Sequence, residues 1–373
     1  MTILDPKLSP NNEEVDLNHF VTTLVHFLDA AGYKEQADLQ AENKRLHDLK
    51  HVYTAMLNYF EEPHVSTALR IPQKKLLVAT RNIARLTVWC WPHASRPEMV
   101  YTGLYFIISY FLDETLEANH ESTEGLVGDL LANKGPKNPY LQAWYDILSS
   151  MIQYYGPLGQ MNLMRTILDF YQCCWTESKG AYGIVGADHY PGALRRLGTL
   201  GYACGACCFP LSLFNEEDIF TECAAISAQV EPIIALVNDL VSFYKETLSP
   251  VARHAPDENN LIRNTARASN MTIRQSFDAN ALNAIHSITS MRKAIEGVEN
   301  ERIRTVVNDF MIGYIRWQLG EPRYRMQELY GVSYCLKDGK RFRGYYDMAW
   351  EMSAADREDE VFEGRCDCCK GLV

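Results

Sequence analysis

The chain has 373 residues, of which 47% are hydrophobic, and its formal net charge is −11. This acidic balance argues against a nucleic-acid-binding protein, because contact with a phosphate backbone needs a basic surface. The apolar content is large enough to build a substantial core.

From residue 16 onward, apolar residues recur at helical spacing almost throughout the chain. Alternating strand patterns are scarce. We predict a single all-α domain, a helical bundle, over residues 16–353, flanked by a disordered N-terminal segment (1–15) and a disordered acidic tail (354–373). In chain order, the main predicted helices span 34–60, 73–91, 96–117, 140–155, 160–178, 190–208, 218–246, 261–297 and 300–330, with a basic loop at 331–344.

Neither a membrane span nor a signal peptide is predicted. The richest apolar run, 104–112, has about half of the ~20 residues that a spanning helix needs. The first residues carry neither a basic flank nor an apolar segment. We therefore expect a cytoplasmic protein.

The eleven cysteines are an odd number without the spacing of a disulfide framework. Most of them lie in apolar surroundings, where a thiol behaves as a small buried hydrophobic group. The tail contains Cys366, Cys368 and Cys369, but a second Cys/His pair is missing nearby, which argues against a zinc site.

Three oxygen-bearing residues, Asn238, Ser242 and Glu246, follow one another at intervals of four. Residues i and i+4 share a helix face, so these side chains form a polar stripe on an otherwise apolar helix. A hard cation such as Mg²⁺ takes oxygen ligands and would stabilise such a stripe. Spacing alone also allows an ordinary, partly exposed helix face.

A second acidic cluster ends the most apolar helix. Asp113 and Glu117 are four residues apart, with Glu114 beside them. Carboxylates are disfavoured at a helix C-terminus, where the helix dipole prefers cations, so their position there favours a functional role. The alternative is a helix end that simply meets solvent.

Basic residues occur in a mostly apolar segment, next to Glu246 and after a later helix. They are Arg195 and Arg196, Lys245, and the Arg323-Tyr324-Arg325 segment. Each alone is more typical of a surface ion pair. Together with two acidic clusters, they indicate a polyanion held partly by metal ions and partly by arginine, which describes a diphosphate.

At this point the sequence resembles a known family. The segment 238–246 resembles the second metal motif of class I terpene synthases, (N/D)Dxx(S/T)xxxE, and the match is closest to the trichodiene synthase family. Residues 112–117, 190–196 and 323–325 extend the resemblance in the order of that family. The first motif departs from it, because the family pattern is DDxxD and this chain has Asp-Glu-x-x-Glu.

The resemblance implies the single-domain class I terpenoid synthase fold with a central apolar cavity. It also implies three Mg²⁺ ions, a homodimer, and roles for individual residues. Asn238, Ser242 and Glu246 would bind one ion, while Asp113, helped by Glu117, would hold the others from the opposite wall. The residues that would bind the diphosphate are Arg195, Lys245, Arg323 and Tyr324.

The implied substrate is farnesyl diphosphate, which would ionise, release diphosphate and cyclise to a sesquiterpene. A longiborneol-type alcohol is the first expected product and trichodiene the second. Aromatic side chains could stabilise carbocations through cation–π attraction. The expected candidates are Tyr105, Phe106, Phe111, Phe170, Trp175, Phe243 and Trp317, and each is also explained by core packing.

Three alternatives remain open on sequence grounds. A chain-elongating prenyltransferase shares this chemistry but usually carries two aspartate-rich motifs. A di-iron carboxylate bundle needs two Glu-x-x-His pairs on helices, whereas this chain has one at 117–120 and another at 61–64 that spans a proline. A non-catalytic helical binding protein of the same fold is consistent with the altered first motif.

Overall fold

The computed structural model describes residues 15–33, 39–115, 125–181, 183–250, 252, 260–353 and 362. Within these ranges the chain is helical and contains no strand, which confirms the all-α prediction. The helices are α1 (Leu17–Ala31), α2 (Leu39–Glu61), α3 (Pro63–Leu69), α4 (Gln73–Cys90), α5 (Arg96–Thr115), α6 (Leu126–Leu131), α7 (Pro139–Met151), α8 (Pro157–Ser178), α9 (Tyr190–Leu197), α10 (Gly201–Ala206), α11 (Phe220–Phe243), α12 (Leu261–Ala268), α13 (Ile273–Glu296), α14 (Glu301–Gly320), α15 (Met326–Val332) and α16 (Gly339–Ser353).

Local signals in the sequence explain several helix ends. Asp16 caps α1 by accepting a hydrogen bond from the backbone N–H of His19. Thr272 and Gln275 form a reciprocal capping box at the start of α13. Such caps satisfy backbone groups that a helix end would otherwise leave without partners.

One extended hydrophobic core runs through the bundle, and α11 is central to it. Glycines allow the closest helix contacts. A Cβ at Gly201 of α10 would lie 2.6 Å from the Cα of Glu231 on α11, and one at Gly313 of α14 would lie 1.9 Å from the carbonyl oxygen of Trp89 on α4. Only residues without a side chain fit at these two crossings.

The predicted helix 190–208 is interrupted at 198–200, where Leu200 adopts a left-handed conformation with φ of 58°. This break separates α9 from α10. The predicted helix 218–246 also changes form, because α11 ends at Phe243 and continues as a π-helical turn, Tyr244–Leu248. Such turns are rare and are found mostly at functional sites.

Between the predicted helices 34–60 and 73–91 the chain forms a further helix, α3, whose first turn contains Pro63, where the missing N–H costs nothing. Another prediction about local structure was wrong. The basic segment 331–344 is not a loop. A 3₁₀ turn, Ser333–Cys335, leads into α16, whose Phe342 is fully buried.

The segment Glu216–Leu248 is long and apolar enough, by length and composition, to cross a membrane. Half of its most apolar window is buried inside the protein, as expected for the central helix of a bundle. The prediction of no membrane span rested on the shorter run at 104–112.

Most of the predicted flanking segments lie outside the described residues, and so do Cys366, Cys368 and Cys369. The exceptions are Val15 and Phe362, which are both buried. The described cysteines are free thiols, and seven of these eight are buried, in agreement with a reduced, non-disulfide role.

Candidate active site

A cavity of about 190 Å³ opens between the helices of the bundle. Its apolar lining comes from α4, α5, α8, α11 and α14, and polar side chains also line it. Among these are Asp113, Arg195, Asn238, Arg323 and Tyr324, five of the residues selected from sequence. The structure thus gathers side chains that are more than two hundred residues apart in the chain around one space.

The α14 wall of the cavity is a series of stacked aromatic rings. Phe310, Tyr314 and Trp317 follow each other at helical spacing, with ring centroids 6.4 and 5.9 Å apart. Tyr324 meets the edge of Trp317 at 5.4 Å. Trp91 continues the surface by packing on Phe310 at 5.6 Å. Because all five rings line the cavity, they offer π faces to a cation within it.

Two of these rings are fixed by hydrogen bonds. The indole Nε1 of Trp317 donates to Oδ1 of Asn82 at 3.0 Å, and the hydroxyl of Tyr314 donates to the carbonyl of Ile234 at 3.1 Å. A buried polar group that lacked such a partner would cost stability. The aromatic wall is therefore both apolar toward the cavity and held rigidly by its neighbours.

The residues of the polar stripe make two groups of hydrogen bonds. Asn238 Oδ1 accepts from Arg195 Nη2 at 2.8 Å, and its Nδ2 donates to the hydroxyl of Tyr324 at 2.9 Å. One turn further, Ser242 Oγ donates to Glu246 Oε2 at 2.9 Å. Asn238 lines the cavity, whereas Ser242 and Glu246 lie beyond its lining along the same stripe.

Glu246 lies in the π-helical turn and has two further partners. Asn260 Nδ2 donates to its Oε2 at 2.7 Å, and Lys245 Nζ lies 3.0 Å from its Oε1. Asn260 also caps α12 by accepting from the backbone N–H of Ile262. The carboxylate of Glu246 is thus held from both sides by donors that the chain itself provides.

Arg195 of α9 reaches α11 through two contacts. Besides Asn238, its Nε lies 2.7 Å from Oδ2 of Asp239, whose side chain is 2% exposed. Burial raises the pKa of Asp239 to about 6, although the guanidinium of Arg195 opposes the shift. Asp239 fixes the arginine in place because a buried carboxylate needs a charged partner.

The 3₁₀ turn Pro322–Tyr324 places the Arg-Tyr pair at the end of α14. The guanidinium of Arg323 lies 5.9 Å from the ring of Tyr110 and 5.5 Å from that of Tyr324. Arg325 follows in a left-handed conformation, and its Nη1 donates to Ser249 Oγ at 3.1 Å. This contact joins the Arg-Tyr turn to the residue after the π-helical turn.

Asp113 lies on the other side of the cavity, near the end of α5. Its carboxylate is accessible from the cavity, yet the surrounding protein displaces much of its hydration, and this desolvation raises its pKa. Cys174 Sγ donates to its Oδ1 at 3.7 Å, and Arg195 and Arg323 act in the opposite direction to the desolvation. Glu114 forms an ion pair with Lys75 instead. Glu117 lies outside the described residues.

Not every aromatic candidate lines the cavity. Phe106, Phe170 and Trp317 do, whereas Tyr105, Phe111 and Phe243 are buried in the surrounding core. The hydroxyl of Tyr105 donates to the carbonyl of Leu163, and Phe111 packs edge-on against Phe60. These contacts account for the burial of both rings, and neither ring is part of the cavity lining.

Sequence reasoning also missed residues that belong to the site. Tyr110 lies one residue before a named candidate and gave no motif signal; burial raises its pKa to about 12. Asn260 follows a polar loop and nothing in the sequence pairs it with Glu246. Phe310 and Tyr314 could have been found, since their spacing with Trp317 puts all three on one helix face.

The donor chemistry on α11 fits a divalent metal ion. Asn238, Ser242 and Glu246 present amide, hydroxyl and carboxylate oxygens, the hard ligands that Mg²⁺ prefers. Among the described residues no group of three His, Cys, Asp or Glu side chains forms a ready-made cluster. All three oxygens have hydrogen-bond partners in the protein, so an ion would have to exchange some of these contacts.

The fold and this site define a class I terpene synthase: an all-α bundle that encloses an aromatic cavity, with carboxylate, amide and arginine groups collected at one end. The family model described as trichodiene synthase (TRI5) matches residues 14–367. The chain belongs to the trichodiene synthase family.

Individual relatives agree with this assignment. Terpene cyclase pbrA from Penicillium brasilianum is 29% identical over 344 residues, covering 92% of this chain and 82% of that protein. The trichodiene synthase of Trichoderma arundinaceum is 28% identical over 347 residues, covering 93% and 87%. The linalool/nerolidol synthase of Streptomyces clavuligerus, solved in complex with 2-fluorogeranyl diphosphate, shares the fold, with a TM-score of 0.54, 14% identity, and coverage of 72% and 98%.

This membership confirms the predicted class of enzyme, a sesquiterpene cyclase that acts as a carbon–oxygen lyase on a diphosphate. It also implies dependence on a divalent metal and binding of a diphosphate substrate.

Proposed function

We propose that this enzyme binds farnesyl diphosphate, ionises it with the help of Mg²⁺ and cyclises the resulting cation. The observation that carries the proposal is the division of one cavity into two parts. Arg195, Asn238, Arg323 and Tyr324 provide a polar end, and the stacked rings of α14 provide an apolar interior. A diphosphate ester of a long prenyl chain has the same two-part chemistry.

Both walls of the polar end carry oxygen groups that would bind Mg²⁺. Asn238, Ser242 and Glu246 would hold one Mg²⁺, while Asp113 of α5, with Glu117, would hold two more. When bound, the ions supply positive charge that stabilises the departing diphosphate. The oxygen chemistry of the donors supports this assignment, and family membership supports the metal dependence.

The chain's own cations bind and orient the diphosphate. Arg195 is fixed by Asp239, so it can meet the leaving group without reorganising. Arg323 and Tyr324 share one rigid turn, and Lys245 lies 5.9 Å from the Tyr324 ring. Preorganised donors of this kind stabilise charge that develops as the carbon–oxygen bond breaks.

The apolar part of the cavity encloses the prenyl chain and excludes water. Trp317, Tyr314 and Phe310 face the chain and stabilise its carbocations through their π faces. A longiborneol-type alcohol is the first proposed product and trichodiene the second. The two differ in how the reaction ends, since the alcohol needs capture of a water and the hydrocarbon needs loss of a proton.

The test is an incubation of the purified protein with farnesyl diphosphate and Mg²⁺, followed by gas chromatography and mass spectrometry of the organic extract. We expect a cyclic sesquiterpene that disappears with a chelator and returns with added Mg²⁺. The Asn238→Ala variant should give none. Absence of any cyclic product above a no-enzyme control would refute the proposal.

The same assay, repeated with isopentenyl diphosphate added, separates the alternatives. A chain-elongating prenyltransferase would instead join farnesyl diphosphate to isopentenyl diphosphate and give a longer linear product. A non-catalytic binding protein would bind diphosphate and release nothing. We further propose a cytoplasmic homodimer, which light scattering of the purified protein and cell fractionation would test.

A further inference from the structure

Phe362 is the only described residue after residue 353. It occupies a socket on the outer side of the bundle, formed by Tyr53, Arg81 and Arg85. Only 7% of its surface is exposed. Its ring meets the ring of Tyr53 edge-on at 4.8 Å, and the guanidinium groups of Arg81 and Arg85 lie 5.0 and 5.2 Å from its centre. One aromatic side chain thus contacts two helices, α2 and α4.

The socket lies on the opposite face of α4 from the cavity. Arg81 and Arg85 are four residues apart and share one face of the helix, whereas Ile83 and Leu86 lie on the other face and line the cavity. Phe362 therefore packs against the outer face of α4, and the opposite face of the same helix lines the cavity.

Arg85 connects the socket to the polar end of the cavity. Its Nη1 lies 3.4 Å from Oε2 of Glu321, which is 8% exposed. Glu321 directly precedes the turn Pro322–Tyr324, which carries Arg323 and Tyr324. A second link runs through Asn82, which accepts the hydrogen bond of Trp317.

The sequence around Phe362 complements the charge of the socket. Glu358, Asp359, Glu360 and Glu363 lie within four residues of it, together with a single arginine, Arg365. Arg81 and Arg85 present two positive charges at the socket, and Arg45 and Arg316 add two more around the nearby Trp89 ring, at 4.2 and 4.6 Å. An acidic segment with one buried aromatic anchor is the chemistry that such a surface would recognise.

We propose that Phe362 is an anchor by which the C-terminal acidic segment binds its own bundle, and that it acts as a positioning residue for the diphosphate site. By covering Arg85, the ring fixes the ion pair with Glu321 and with it the orientation of Arg323 and Tyr324. The positioning part of this inference rests on the proposed function, while the anchoring part does not.

Anchoring is tested with trypsin, because Arg357 and Arg365 flank the anchor. We expect Phe362→Ala to be cut at these two sites about tenfold faster than the wild type, since burial of a phenylalanine stabilises a bound segment by roughly this factor. Phe362→Leu, which keeps apolar contact but loses both cation–π contacts, should fall between the two. Equal cleavage rates for Phe362→Ala and wild type would overturn the anchor.

Positioning is tested by the affinity for inorganic diphosphate with Mg²⁺, measured by calorimetry, and by KM and kcat for farnesyl diphosphate. We expect Phe362→Ala to weaken diphosphate binding and to lower kcat/KM by ~3- to 10-fold, with part of the loss in kcat, because Arg323 and Tyr324 are proposed to stabilise the departing diphosphate as well as to bind it. Phe220→Ala, at a ring that is 54% exposed, is the matched control and should match the wild type.

The outcomes separate the two claims. Faster cleavage with unchanged diphosphate affinity would leave an anchor without a positioning role and overturn that part. If the wild type made no sesquiterpene, the proposed function would fail, but cleavage and calorimetry would still report on Phe362. A reduced affinity for diphosphate in Phe220→Ala as well would indicate a general loss of structure and overturn the specific role of Phe362.

Discussion

The two walls of the polar end differ in how many hydrogen bonds and ion pairs the protein itself makes to their side chains. On α11 and the π-helical turn that follows it, Asn238 is hydrogen-bonded to Arg195, while Ser242, Lys245 and Asn260 all contact the carboxylate of Glu246. On α5, the thiol of Cys174 donates a hydrogen bond to Asp113, and Arg195 and Arg323 act on the Asp113 carboxylate through longer-range electrostatics. The α11 side chains are held in place by these contacts, whereas an added cation would stabilise the carboxylate of Asp113 on α5.

Helix geometry explains this difference. Asp113 lies near the C-terminus of α5, where the helix dipole disfavours negative charge. Glu246 lies in a π-helical turn, which brings its carboxylate to both Ser242 and Asn260. A cation bound between the walls would relieve an unfavourable charge on α5 but would replace existing contacts on α11. This comparison gives four predictions.

The largest expected effect is on the α11 wall. Glu246→Gln keeps the shape of the side chain and can still accept from Ser242 and Asn260, but it removes the charge that a metal ion needs. We expect turnover of farnesyl diphosphate to fall by ~10²–10³-fold, the usual cost of losing one electrostatic stabiliser. Product formation at saturating substrate measures it.

Glu217→Gln is the matched control for this variant, since it removes an exposed carboxylate in the turn just before α11. It should keep full activity. If Glu246→Gln were as active as Glu217→Gln, Glu246 could not be a metal ligand.

The next effect concerns stability. Asp239→Asn leaves the guanidinium of Arg195 beside a neutral amide in a buried position, and we expect the free energy of unfolding to fall by about 3 kcal/mol. Glu231→Gln breaks the neighbouring pair with Arg196, whose side chain is 57% exposed, and should cost no more than about 1 kcal/mol. Urea denaturation of both variants measures the difference. Equal losses of unfolding free energy would mean that solvent screens the Arg195–Asp239 and Arg196–Glu231 pairs to the same extent.

The third prediction concerns the α5 wall. Asp113→Asn should lower kcat/KM by ~10- to 100-fold, because a charge at the end of the cavity is lost without disturbing a hydrogen-bond network. Glu114→Gln, next to it, removes an ion pair with Lys75 but keeps an oxygen that can accept the hydrogen bond of Tyr110, and should change activity by less than about threefold. Activity after each substitution, measured over a range of Mg²⁺ concentrations, tests this contrast. A reversed order of the two effects would move the acidic ligand to Glu114.

The sequence predicted the α11 wall better than the rest of the site, and the reason is geometrical. Residues four apart on a helix share a face whatever surrounds them, so Asn238, Ser242 and Glu246 could be grouped without a structure. The contact between Glu246 and Asn260 depends on how α12 packs, and no local pattern records it. The π-helical turn was missed for the same reason, since one extra residue in a turn has no composition of its own.

Errors within α5 have a different origin. This helix is apolar on most of its surface, so periodicity could not distinguish the face toward the cavity from the face toward the core. Tyr105 and Phe111 were therefore grouped with the cavity residues, while Tyr110 was passed over. Likewise, the basic residues of 331–344 suggested a loop, although Phe342 is one of the buried residues that bind α16 to the core.

The smallest effect separates the core face of α5, where Tyr105 lies, from the aromatic cavity wall on α14. Tyr105→Phe removes one hydroxyl that donates to Leu163, so we expect a loss of about 1 kcal/mol in unfolding free energy and an unchanged product profile. Trp317→Phe keeps an aromatic ring but loses the hydrogen bond to Asn82, at a similar cost in stability. Because Trp317 lines the cavity, this variant should also change the proportions of the products, as seen by gas chromatography. A changed profile in Tyr105→Phe with none in Trp317→Phe would mean that the aromatic wall that guides the cation lies on α5 rather than on α14.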